Sequence, residues 1–231
     1  MNDEILPRQL PLALEHGEGR TRDDLVVTKS NEQAVALIDS WPNWSAPVVI
    51  LAGPPGSGKT HLAEIWCTET GAVKVSHSHI GQEAIDAASE GPVLVENADA
   101  PCLDQSGLFH LINVVKSAGT HLLLTARTFS GAWGVELPDL ASRLRAATTV
   151  EIYEPDDMLL AGVIVKLFAD RQVVVEPHVV QFLVRRTERS LSSMRELVRM
   201  IDQMAMERKT KITRAIAAEA VTILEQGAKR S

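Results

Sequence analysis

From Val48 onward the apolar residues fall into short unbroken runs, separated by segments in which they recur every three or four positions. Val48–Ala52 is a continuous apolar run, the pattern of a strand covered on both faces. Gly53–Gly58 follows as a loop, and Thr60 to about Thr70 reads as a helix. The alternation then repeats. Val73–Ser76 is a short strand, Ile80–Ser89 a helix and Val93–Val95 a second buried strand. Asp104–Ala118 is a helix with Leu108, Leu111, Ile112 and Val115 on one face, His121–Thr125 a third long strand, and Thr148–Ile152 the last. Strands alternating with helices predict a parallel sheet covered on both sides.

Beyond Pro155 the strands stop. Met158–Ala169, Pro177–Arg186, Met194–Arg208 and Arg214–Gln226 read as helices. Pro177 suits a first helical turn, and Ser193 with Glu196 has the spacing of a capping box. Met194, Leu197, Val198, Ile201 and Met204 make one apolar stripe. The pattern therefore predicts an α/β domain over residues 24–155 and a small all-helical domain over residues 156–231. Ahead of both, residues 1–23 set Pro7, Pro11, Gly17, Gly19 and several charges around the short apolar run Leu10–Leu14. Such a segment reads as a flexible tail or a docking peptide.

Composition narrows the picture. A chain of 231 residues with 45% hydrophobic positions can bury a full core, and with only 4% aromatics that core must be mainly Val, Leu, Ile and Ala. The net charge of −7 argues against a phosphate-backbone grip on nucleic acid. Positive charge does gather between Arg185 and Arg214, where a solvated helical face accounts for it. Cys67 and Cys102 lack a metal-like spacing, and Cys67 lies on an apolar helix face as a core residue would. No apolar run reaches about 18 residues and no signal-peptide pattern opens the chain, so a cytoplasmic protein without a membrane span is expected. His77 and His79 would share one side of an extended segment, yet no third ligand stands near, and a solvent-facing loop is the better reading. Trp41 and Trp44, flanking Pro42, are expected to pack against the sheet edge.

The candidate chemistry is concentrated at Gly53-Pro54-Pro55-Gly56-Ser57-Gly58-Lys59-Thr60, which matches G-x-x-x-x-G-K-[ST] in full. It follows a strand and opens a helix, the context the motif needs. Glycines let amides turn inward around phosphate oxygens, and the helix N-terminus adds partial positive charge. Lys59 is expected to reach the β- and γ-phosphates and Thr60 to offer its hydroxyl to Mg²⁺. The adjoining His61 belongs to the same nucleotide-binding segment. A metal-side acid is expected at the end of another buried strand, where Glu96 stands, followed by Asn97 at the position where a water-polarising carboxylate is usual. An amide cannot take a proton at neutral pH, so slow hydrolysis is expected of the isolated protein, with Asp99 as the one nearby substitute.

These residues resemble the AAA+ ATPases, and within them the DnaA/Hda family of replication proteins, on the shorter Hda side, over about residues 24–225. The resemblance implies a five-stranded parallel sheet of order 5-1-4-3-2 and a helical lid. It implies that Asp24–Asn31, with Leu25, Val26 and Val27, lies against an adenine base. Leu137-Pro138-Asp139-Leu140-Ala141-Ser142-Arg143-Leu144 is similar to the segment carrying the arginine finger of that family, which assigns the finger to Arg143. On chemistry alone Arg145 is an equal competitor. Ser193-Met194-Arg195-Glu196-Leu197 is similar to the sensor II segment, which implies that Arg195 reaches the nucleotide from the lid. Arg127, at the sensor I position, departs from the family's usual residues there. Gln9-Leu10-Pro11-Leu12-Ala13-Leu14 resembles the peptide that docks on the DNA sliding clamp, with Gln9 for a polar pocket, Leu12 and Leu14 for an apolar one, and Leu10 among the clamp-binding residues.

The resemblance thus implies a regulator that holds ADP or ATP with Mg²⁺, docks on the β subunit clamp of DNA polymerase III, and stimulates ATP hydrolysis by DnaA to prevent re-initiation. DnaA and the clamp would be its partners, and a homodimer is compatible with it. Because the chain stops at Ser231 just after the lid helices, direct specific DNA binding is not expected on this reading. Two alternatives stay open: a self-assembling AAA+ ATPase that remodels or loads a replication protein, and a nucleotide-gated DNA-binding module using the basic helices.

Overall fold

The computed structural model describes residue 22 and residues 25–228. The candidate clamp peptide Gln9–Leu14 lies outside the described residues. In chain order the elements are α1 (Glu32–Asp39), β1 (Val48–Ala52), α2 (Lys59–Thr70), β2 (Val73–Val75), α3 (Gln82–Glu90), β3 (Val93–Val95), α4 (Gln105–Ala118), β4 (Leu122–Ala126), α5 (Pro138–Arg145) and β5 (Thr148–Glu151). Four helices complete the chain, α6 (Asp157–Asp170), α7 (Pro177–Arg186), α8 (Leu191–Arg208) and α9 (Arg214–Ala228).

The five strands form one sheet in the order β2-β3-β4-β1-β5, the expected order read from the other edge. Every pairing is parallel, with Val49 opposite Leu123 on one side and Thr148 on the other. All residues of β1, β3 and β4 are buried, because helices cover both faces. One face packs on α3, α4 and α5 through Val48, Ile50, Val95, Leu108, Leu111, Leu124 and Leu144. The other packs on α1 and α2 through Ala34, Val35, Ile38, Val49, Leu51, Leu62 and Trp66. Trp44 stacks on Trp66 with centroids 5.3 Å apart and meets His121 edge-on, so the tryptophans before β1 serve packing. Leu160, Ile164, Phe168, Leu183, Met194, Leu197 and Ile201 build a separate core among α6–α9.

Three details differ from the pattern reading. α1 is a helix that the sequence did not announce, since the apolar Ala36 and Leu37 mask the spacing of its buried Ala34, Val35 and Ile38. α5 is a short helix held by only two buried residues, Leu140 and Leu144. The proposed capping box at Ser193 is replaced by Ser190, whose Oγ accepts the Ser193 N–H at 3.3 Å, so α8 begins at Leu191. Arg195 consequently sits in the second turn rather than the first.

Candidate nucleotide-binding site

The loop after β1 runs into α2 through two left-handed glycines, Gly56 at φ +74° and Gly58 at φ +105°. Only glycine adopts that conformation freely, and the second serves as the N-cap of α2. Gly56 is also closed off by the lid. Its carbonyl accepts the Leu191 N–H at 2.8 Å, and a Cβ there would collide with Ser190 Oγ. The first turn of α8 thus rests directly on the phosphate loop.

Lys59 Nζ donates to the carbonyls of Gly53 at 2.6 Å and Pro54 at 2.8 Å, folding the ammonium over its own loop. Burial pushes this amine below its ordinary range. Asp99 pulls it back up, and Arg127 pushes it down again. Ser57 is 2% exposed, and its Oγ has no hydrogen-bond partner among the described residues. Glu96 Oε1 at the end of β3 is likewise buried without a partner among the described residues. It lies near enough to α2 to help raise the Cys67 thiol to about 11, though burial is the larger cause. Orphaned polar atoms of this kind are costly unless a ligand or water completes them. An ammonium poised on the loop and an orphaned acid fit a nucleotide polyphosphate and its magnesium ion.

Beside the loop a narrow cleft, partly continuous with solvent, opens between α2 and the lid. Leu25, Val26, Ser57, Gly58, His61 and Arg195 line it, all named by the sequence. Val27 does not line it and is 45% exposed. Asn31, the last residue of the stretch expected at the base, lines it too, whereas sequence reasoning missed Leu159, Val163 and Leu191, which also line it. Asn31 holds the N-terminal stretch in place, donating to Val26 O at 2.9 Å and accepting the Thr28 N–H at 2.8 Å. The four-residue spacing of Leu159, Val163 and Leu167 on α6 was the available signal for the lid wall. Such walls suit a flat apolar base, with a cation at the phosphate end.

Arg143 lies elsewhere. It is in the last turn of α5, half-buried, with its guanidinium 4.9 Å from the centroid of the Phe109 ring on α4. It is not among the residues lining the chain's own cleft. Arg145 in the same turn is exposed. Thr60 is exposed at the start of α2, and the Asn97 side chain is exposed beyond β3. Across the sheet ends, His77 Nε2 contacts Cys102 Sγ at 3.4 Å. Among the described residues no group of three His, Cys, Asp or Glu side chains is placed to hold a metal ion. The basic C-terminal helices are partly neutralised internally: Arg208 pairs with both oxygens of Glu219, and Arg214 stacks over Phe182.

No family model matches the chain. The large subunit of replication factor C from Ignicoccus hospitalis is 25% identical over 149 residues, covering 55% of this chain and 31% of that protein. The chain thus spans about 31% of the length of the curated relative it matches. Domain III of the Thermotoga maritima replication initiation protein DnaA superposes with a TM-score of 0.75 at 14% identity, covering 89% of this chain and 96% of that one. The fold is that of the AAA+ P-loop NTPases. AMPPCP-bound DnaA from Aquifex aeolicus gives a TM-score of 0.69 at 17% identity, over 81% of this chain and 66% of that one. Among the described residues of this AAA+ fold, no helix is long and apolar enough to cross a membrane.

Proposed function

We propose that this chain is an Hda-type regulator of replication initiation, which binds an adenine nucleotide, docks on the DNA sliding clamp and stimulates ATP hydrolysis by DnaA. The nucleotide part is supported by the loop at Gly53–Thr60, the cleft beside it and the orphaned Ser57 and Glu96 oxygens. AMPPCP bound to the similar DnaA fold agrees with it. Leu25 and Val26 would hold the base, the loop amides and Lys59 the phosphates, and Arg195 would approach from α8. Thr60 and Glu96 would hold magnesium, which neutralises phosphate charge when bound.

The observation that carries the regulatory part is the placement of Arg143. It stands outside the chain's own cleft at the end of α5, its guanidinium plane steadied by Phe109. A planar, permanently charged group held in this way suits the γ-phosphate of a neighbouring molecule. In the proposal that neighbour is DnaA, brought alongside by the clamp that Gln9, Leu10, Leu12 and Leu14 would grip. The place of work is the cytoplasm.

The test is turnover of DnaA-bound ATP with clamp loaded on DNA. Wild type should accelerate it, and Arg143→Ala should lose about 10³-fold or more of that acceleration. Arg143→Ala acting like wild type would remove the finger from the proposal. Clamp capture that survives Gln9→Ala with Leu12→Ala would remove the peptide.

A further inference from the structure

A second carboxylate stands at the strand ends beside the phosphate loop. Asn97 adopts φ +53°, a left-handed conformation that asparagine tolerates better than most residues. Its N–H donates to Thr125 Oγ1 at 3.1 Å, and the next amide, Ala98 N–H, donates to Thr125 O at 2.8 Å. Thr125 is 2% exposed within β4, so residues 97 and 98 are pinned to the end of that strand. The bend leaves the Asn97 side chain in solvent and brings Asp99 over the end of β4.

There Asp99 Oδ2 accepts the Arg127 N–H at 2.8 Å. The carbonyl of the same peptide unit, that of Ala126, accepts the Gly53 N–H at 3.1 Å. A single peptide plane therefore separates the Asp99 carboxylate from the first residue of the phosphate loop. Asp99 is also the charge that most strongly opposes the effect of burial on Lys59. Asp99 is half-buried, and its Oδ1 makes no hydrogen bond among the described residues.

We propose that Asp99 is the carboxylate that orients and deprotonates water in a slow hydrolysis of ATP at this chain's own site, the place that Asn97 cannot fill. The proposal rests on the nucleotide reading above. The water oxygen bonds to the γ-phosphorus, and the bond from that phosphorus to the β,γ-bridging oxygen breaks, its electron pair leaving with ADP. The water proton passes to Asp99 and on to solvent. ATP and water thus give ADP, inorganic phosphate and a proton. The free Oδ1 is the accepting atom, while Oδ2 stays on Arg127 N–H and fixes the carboxylate's direction.

Asp99→Asn keeps an acceptor for the Arg127 N–H and removes the base. In single-turnover assays of the full chain with ATP, it should be at least about tenfold slower than wild type, with Asp99→Glu recovering part of the rate. A readout independent of turnover is affinity. Removing a negative charge beside the γ-phosphate should tighten AMPPCP binding about threefold or more and change ADP binding less than about twofold. The proposal is overturned if wild type hydrolyses ATP no faster than buffer, if Asp99→Asn matches wild type, or if the two affinities shift alike. Wild type binding neither nucleotide would overturn this proposal together with the nucleotide reading beneath it.

Discussion

Single residues do unequal work here. Asp104 caps α4, accepting Gly107 N–H at 2.8 Å and Ile80 N–H at 3.1 Å, and so ties the loop before α3 to the start of α4. Asp104→Ala should cost about 1–2 kcal/mol in urea unfolding. The Gly107 bond, with smaller help from Ile80 and from His79 and His110, holds its carboxyl below the ordinary value of 3.8. Its contribution is therefore complete above that value and is lost as pH falls through the lower folded value. His121, edge-on to Trp41 and Trp44, is pushed below its ordinary 6.5 by burial. The unfolded chain then takes up a proton that the folded chain refuses, so stability falls as pH drops below about 6.5. Melting curves between about pH 7.5 and 5.5 should slope less for His121→Gln than for wild type. What was legible at this scale was whatever is local in sequence. The run from Gly53 to Thr60 carries its own chemistry. Ser190 and Leu191 act through contacts with Gly56 made across the fold, and no nearby pattern marks them.

Among elements, α8 shows how tertiary contact overrides a local signal. Ser193 with Glu196 has the better capping pattern, yet Leu191 N–H on Gly56 O extends the helix by one turn and makes Ser190 the cap. Ser190→Ala should cost about 1 kcal/mol and speed hydrogen exchange at the Ser193 amide. Unchanged exchange there would mean that the cap holds nothing. Gly56→Ala would have to clear Ser190 and hold a left-handed conformation, so it should part the lid from the loop and weaken nucleotide binding at least about tenfold. The strands were legible because β1, β3 and β4 are buried on both faces and read as unbroken apolar runs. α1 and α5 were not, since the buried Ala34, Val35 and Ile38 of one are masked in sequence by the apolar Ala36 and Leu37 between them, and the other buries only two leucines.

At the scale of the molecule, the parallel sheet sets the C-terminal ends of its three interior strands, β3, β4 and β1, side by side, so Gly53, Glu96, Asp99 and Arg127 stand at the same end of the sheet. The alternation of strands and helices predicts such a sheet, but its strand order came from the resemblance, because periodicity says nothing about which strand lies beside which. Arg143 on α5 does not line the cleft, and in the proposal this separation would let one chain hold a nucleotide while offering a cation to another. All of it depends on the loop binding a nucleotide. The most direct measurement is calorimetric titration of the purified chain with ADP and with AMPPCP in the presence of Mg²⁺. Saturable one-to-one binding is expected, weakened about ten- to a hundredfold in Lys59→Ala. No heat of binding from wild type, or equal affinity in Lys59→Ala, would contradict the account.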